Sequence, residues 1–142
     1  MNIGIIIITH GKLADAFKET LFSIVGKKEN VLSISITTDY TLDILCEKIK
    51  NSIEFNNVDN IVIFTDMLGG TPCNASLMVC KNLLNKNIYI ISGVNLYMLI
   101  TAVSLREQNE NMDINEYINK IIESGKSCIA NINEIFKKKL QK

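Results

Sequence analysis

The stretch Asn60-Ile61-Val62-Ile63-Phe64-Thr65-Asp66-Met67-Leu68-Gly69-Gly70-Thr71-Pro72 decides how this chain folds. From Asn60 to Thr65 it is nearly continuously apolar, as strands covered on both faces are. Asp66 to Gly70 interrupts the run as a loop. Thr71-Pro72 then reads as an N-cap followed by the favoured first helical position, opening a helix predicted to reach about Leu84. A buried strand, a polar loop at its carboxyl end and a helix make one unit of a parallel α/β sheet.

The same unit recurs on either side. Ile3 to Thr9 predicts a strand. Lys12 to Val25 predicts a helix, with Leu13, Phe17, Leu21 and Ile24 on one stripe and Gly26 as C-cap. Val31 to Ile36 is a second strand, given a polar side by Ser33 and Ser35, and Thr41 to Ile53 a second helix. Ile88 to Ser92 is a fourth strand, turning at Gly93-Val94-Asn95 into a helix from Leu96 to about Arg106. Gln108 to Asn111 is a polar loop. Asp113 and Glu116 form a capping pair for a last helix that turns Tyr117, Ile118, Ile121 and Ile122 inward. Ser127 to Asn133 fits either a short edge strand or a continuing helix. The lysines at 137, 138, 139 and 142 predict a solvated basic tail from about 136 to 142.

Four such units predict an α/β fold: an open, mainly parallel sheet of four strands, flanked by helices and joined by right-handed crossovers. Ser127 to Asn133 is available as a fifth, antiparallel C-terminal edge strand. The length of 142 residues fits one domain spanning the chain.

Composition narrows the function. A hydrophobic share of 47% excludes global disorder, and 15 basic residues against 15 acidic ones disfavour a nucleic-acid binder. The single histidine excludes sites built from several histidines, most catalytic zinc centres among them. The start, MNIGIIIITHG, lacks a basic n-region and a cleavage site, and no stretch approaches the roughly 20 apolar residues of a membrane span. Cys46, Cys73, Cys80 and Cys128 form no CxxC pair and read as small hydrophobes in a reducing cytoplasm.

Parallel strands share a direction, so Thr9-His10-Gly11, Asp66 to Pro72 and Gly93 to Asn95 all project from one edge of the sheet, where open α/β folds bind ligands. If the first and third strands are neighbours, His10 and Asp66 can touch. A carboxylate that accepts the N–H of one imidazole nitrogen fixes the tautomer and leaves the other nitrogen as a nucleophile. Gly69, Gly70 and Thr71 suit an oxyanion-binding turn, with converging backbone N–H groups and a helix N-terminus behind them. These features suit a phosphohistidine. Spacing alone leaves His10 open as a structural residue, Asp66 to Gly70 as an ordinary turn and Asn95 as a helix cap. The GGTP turn lacks the lysine and glycine spacing of a Walker A loop, and no GxGxxG is present.

Three segments carry a resemblance that extends from Ile3 to about Ala130: Ile5 to Gly11, Phe64 to Ser76 (FTDMLGGTPCNAS) and Ser92 to Ile100 (SGVNLYMLI). In this order the chain resembles the mannose-type (mannose, fructose, sorbose) IIA domain of the bacterial phosphoenolpyruvate-dependent sugar phosphotransferase system (PTS). The resemblance implies that His10 takes a phosphoryl group from the phosphocarrier HPr on Nε2, and passes it to a IIB component that serves the membrane IIC and IID subunits. It implies that Asp66 orients the ring through Nδ1. Thr71 and backbone groups of Gly11, Leu68, Gly69 and Gly70 would contact the phosphoryl oxygens, with Asn74, Gly93 and Asn95 as a secondary pocket. No metal, organic cofactor or nucleic acid is implied. A cytoplasmic homodimer is, in some members by exchange of a C-terminal strand, for which Ser127 to Asn133 is the candidate.

Two positions depart from the family's habit: Leu68 stands where an aromatic is common, and Tyr97 where a proline is. Both bear on partner choice and neither on chemistry. The chain reads as a separate IIA subunit without a fused IIB domain. Alternative readings are a regulatory module that senses phosphorylation, the related phosphoryl-donor subunit of the dihydroxyacetone kinase system, and a small-molecule binder of the same α/β class.

Overall fold

In the computed structural model, residues 1–83 and 85–141 are described. Four strands, β1 (Ile3–His10), β2 (Val31–Ile36), β3 (Asn60–Thr65) and β4 (Asn87–Ser92), form one sheet in the order β2-β1-β3-β4, every pair parallel. The helices are α1 (Leu13–Val25), α2 (Leu42–Phe55), α3 (Thr71–Asn82), α4 (Leu96–Gln108), α5 (Ile114–Ser127) and α6 (Ile132–Leu140). The expected open parallel α/β sheet is thus formed. The predicted end of α3 near Leu84, like Lys142 of the basic tail, lies outside the described residues.

The apolar run of β1 has the reason anticipated for it. Successive side chains point to opposite faces, and here both faces are covered. Ile5, Ile7, Val62 and Phe64 pack with Leu21 of α1, Leu99 of α4 and Tyr117 of α5. Ile6, Ile8, Ile61 and Ile63 pack with Leu45 and Ile49 of α2 and Val79 of α3. Ile5 to Ile8 have no exposed surface, so each contributes about 1.5–3 kcal/mol of burial.

The chain runs from β1 outward to β2, then crosses back over β1 to β3. Strand order therefore reverses between β1 and β3, the position where open α/β sheets leave a crevice at their carboxyl ends. His10 closes β1 and Asp66 follows β3, so both stand at that crevice. The opposite end is held by Arg106, which sequence reading treated as an ordinary helix end. It is buried, donating from Nη1 to the Ile3 carbonyl at 2.8 Å and from Nη2 to the Glu29 carbonyl at 2.7 Å.

Two local expectations change. Thr71 is the first residue of α3 rather than its N-cap. The Gly70 carbonyl accepts the first helical bond, from the Asn74 N–H at 3.0 Å, which makes Gly70 the cap. Ser127 to Asn133 forms no strand: α5 ends at Ser127 and α6 begins at Ile132. Asn131 caps that new helix, its side chain accepting from the N–H groups of Asn133 and Glu134. The four cysteines are unpaired, and among the described residues no helix is long and apolar enough to cross a membrane.

Candidate functional site

Pairing of β1 with β3 sets Ile8 beside Thr65, so the residues that follow leave the sheet together. His10 and Asp66 meet there. His10 Nδ1 lies 2.9 Å from Asp66 Oδ2, and the His10 backbone N–H donates to the same oxygen at 2.9 Å. The other carboxylate oxygen accepts the Met67 N–H at 3.0 Å. One carboxylate therefore fixes both the strand end and the ring plane. Partial burial opposes ionisation of Asp66, but the bonds from the His10 backbone and ring outweigh it and hold the carboxyl below its ordinary range. An ionised carboxylate can only accept, so Nδ1 carries a proton toward it and, in the neutral ring, the lone pair is on Nε2. The His10 side chain is 46% exposed against 13% for Asp66, so the ring faces out and the carboxylate that holds it faces in.

The glycine turn lies directly against the ring. A Cβ placed on Gly70 would come to 3.0 Å from His10 Cε1, so a side chain here would crowd the imidazole and glycine leaves it room. Gly69 adopts φ +75°, where glycine carries no steric penalty. The turn closes through the Gly70 N–H on the Met67 carbonyl at 3.2 Å, and through the Asn74 amide on the Gly69 carbonyl at 3.0 Å. Helix geometry leaves the N–H groups of Thr71 and Cys73, in the first turn of α3, without an intrahelical acceptor. Pro72 between them has none to satisfy. Thr71 itself is exposed beside the turn.

The remaining candidates are placed around this pair. The Gly11 N–H donates to the Ile36 carbonyl at 2.8 Å, which ties the β1 loop to β2. Leu68 is 86% exposed at the tip of the turn, a position for contact with another surface. Asn74 ties the turn through its amide on the Gly69 carbonyl. Asn95 caps α4, accepting the Met98 N–H at 3.1 Å and donating to the Gly125 carbonyl at 3.3 Å. With Gly93 it borders a cleft of about 420 Å³ between the end of β4 and α5, lined also by Met98, Ile122 and Lys126. Sequence reasoning missed the Met67 amide and the Asn74 lock. The first carries no side-chain signal. The second sits one helical turn after a glycine pair, where an asparagine can reach back to the loop.

The chain as a whole is similar to known proteins. The family model EIIA-man, described as PTS system fructose IIA component, matches residues 4–122. The sorbose-specific EIIA component of the PTS from Lacticaseibacillus casei is 30% identical over 132 residues, 92% of this chain and 91% of that protein. The fructose-specific EIIA component from Bacillus subtilis (strain 168) is 30% identical over 106 residues, 74% of this chain and 71% of its own length. A crystal structure of a phosphotransferase system EIIA component from Streptococcus agalactiae superposes with a TM-score of 0.85 at 30% identity, covering 93% of this chain and 98% of that one.

Proposed function

The chain belongs to the mannose/fructose/sorbose family of phosphotransferase-system EIIA domains, which are phosphoryl carriers, and on that premise we propose that His10 is the residue that carries the phosphoryl group. The observation behind the assignment is the 2.9 Å pairing of His10 Nδ1 with Asp66. It leaves Nε2 unprotonated on an exposed ring beside a helix N-terminus.

In the transfer, the Nε2 lone pair attacks phosphorus while the donor's bond to phosphorus breaks and its electron pair returns to the donor. His10 keeps the Nδ1 proton throughout, so the phosphorylated ring carries a positive charge that the Asp66 carboxylate balances. The phosphoryl oxygens carry close to two negative charges. The Thr71 hydroxyl and the free N–H groups of Thr71 and Cys73 are the donors for them, with Gly69 and Gly70 allowing the close approach. The second transfer reverses these steps, with an acceptor nucleophile attacking phosphorus and Nε2 leaving. His10, Asp66 and the turn suffice for this chemistry, so the mechanism calls on no cofactor.

Family membership implies the usual partners of such a carrier: HPr as donor, a IIB component as acceptor, and the membrane IIC and IID subunits beyond it. This relay runs in the cytoplasm. We read the whole chain as one carrier domain that forms a homodimer. The test incubates the protein with phosphoenolpyruvate, enzyme I and HPr. Acid-labile, base-stable label is expected on the native chain and none on His10→Ala; undiminished labelling of that variant would overturn the assignment.

A further inference from the structure

The end of the chain carries a surface that phosphoryl transfer does not use. Helix α6 buries none of its residues, and every residue from Asn131 to Gln141 is exposed. Among the described residues it packs extensively on no other element. Its nine residues fall short of the roughly 12–15 at which isolated helices become even marginal in water. Yet the helix is patterned. At 3.6 residues per turn, Ile132, Ile135, Phe136 and Leu140 share one stripe, with exposures of 70%, 43%, 62% and 72%. Ile129, just before the helix, is 80% exposed.

The lysines say what kind of surface covers this stripe. Lys137 and Lys138 lie on the polar face, on opposite sides of the stripe, while Lys139 falls inside it. Against a dry protein groove the Lys139 ammonium would be buried without a partner, which is costly. At a lipid interface its carbon stem can lie along the acyl chains while the ammonium reaches the phosphates. The acidic residue of the helix, Glu134, lies on the polar face between Lys137 and Lys138, three and four residues before them, with its carboxylate accepting the Asn131 amide at 3.4 Å, and the lysines outnumber it. An apolar stripe holding Phe, Ile and Leu, a polar face richer in lysine than in acid, and low overall hydropathy are the pattern of a helix lying in a membrane interface. The chain's net charge is zero, so any attraction to an anionic surface comes from this local cluster.

We propose that α6 binds an anionic lipid surface, with Ile132, Ile135, Phe136 and Leu140 in the headgroup–acyl boundary and Lys137, Lys138 and Lys139 on lipid phosphates. The binding is weak and reversible, because the helix is short and its attraction is screened by salt.

Co-sedimentation of the full chain with vesicles tests this, comparing phosphatidylcholine alone with phosphatidylcholine plus phosphatidylserine. The native chain is expected to bind the phosphatidylserine vesicles and to be released by salt. Replacing all three lysines by glutamine should weaken binding on the order of 100-fold. The double variant Ile135→Ser, Phe136→Ser should also lose it, while both variants keep HPr-dependent labelling because α6 contributes nothing to the core. Absence of native binding to either vesicle overturns the proposal. So does a change of oligomeric state in the Ile135→Ser, Phe136→Ser variant without vesicle binding by the native chain, since α6 would then cover a second copy.

Discussion

Two loops leave the same edge of the sheet with similar composition and end in different roles. The turn after β3, Asp66 to Gly70, gives its carboxylate to a ring from another strand and sets its glycine backbone beside that ring. The turn after β4, Gly93 to Asn95, consumes its polar groups locally. Its Asn95 side chain caps α4 and holds α5, and its Val94 N–H closes on the Thr65 carbonyl at 3.0 Å. Both contain a glycine and a residue able to cap a helix. The difference is position. The first loop stands at the reversal of strand order, facing the end of β1, whereas β4 is an edge strand with no neighbour beyond it among the described residues. Topology, more than loop composition, turns one of them into a site.

Removing the anchor should produce the largest difference between the loops. Asp66→Ala is expected to slow transfer from phospho-HPr by about 10- to 100-fold, read as the rate of label appearance on His10. A rate within twofold of native would mean that Asp66 does not orient the ring. Acid extends the same test. Because the folded Asp66 carboxyl sits below its ordinary range, its stabilisation is fully present above about pH 4. It is lost as pH falls through the depressed value, and the stability difference between native chain and Asp66→Ala should vanish there. A difference already gone at pH 6 would contradict the assignment of that shift.

Gly70→Ala should have a smaller effect. Its Cβ, at 3.0 Å from His10 Cε1, pushes the ring by a few tenths of an ångström. Displacement of about 1 Å can cost roughly 100-fold in rate, so a loss of up to about tenfold is expected. Native rates in this variant would show that the ring does not depend on the turn. Asn95→Ala marks the other limit. Loss of a cap costs about 0.5–2 kcal/mol of stability, measured by denaturant titration, with labelling of His10 unchanged. A transfer defect as large as that of Gly70→Ala would erase the distinction between the two loops.

Much of this was readable from residue order. Unbroken apolar runs such as Ile5 to Ile8 betray strands covered on both sides, and the β3–turn–α3 unit appeared within one residue of its start. The contact between His10 and Asp66 required strand order, which no local pattern encodes; their 56-residue separation closes only because β3 returns to β1. The chain end misled for a different reason. Cys128, Ala130 and Ile132 alternate over too few residues to define a strand, and the lysines obscured the helical spacing of Ile132, Ile135, Phe136 and Leu140. The signal that marks the start of α6 is Asn131 with Glu134 three residues later, and alternation hid it. Arg106 also escaped, because its partners are backbone carbonyls, which side-chain patterns do not announce.

The central claim is that Asp66 occupies Nδ1 of His10 and so directs chemistry to the other nitrogen. Its most direct test is nitrogen–phosphorus NMR of the chain labelled with ¹⁵N in histidine and phosphorylated through HPr. With one histidine in the sequence, the spectrum is unambiguous. The expected result is phosphorus coupled to Nε2 with the proton retained on Nδ1; phosphorus on Nδ1, or on any residue other than His10, would contradict the account.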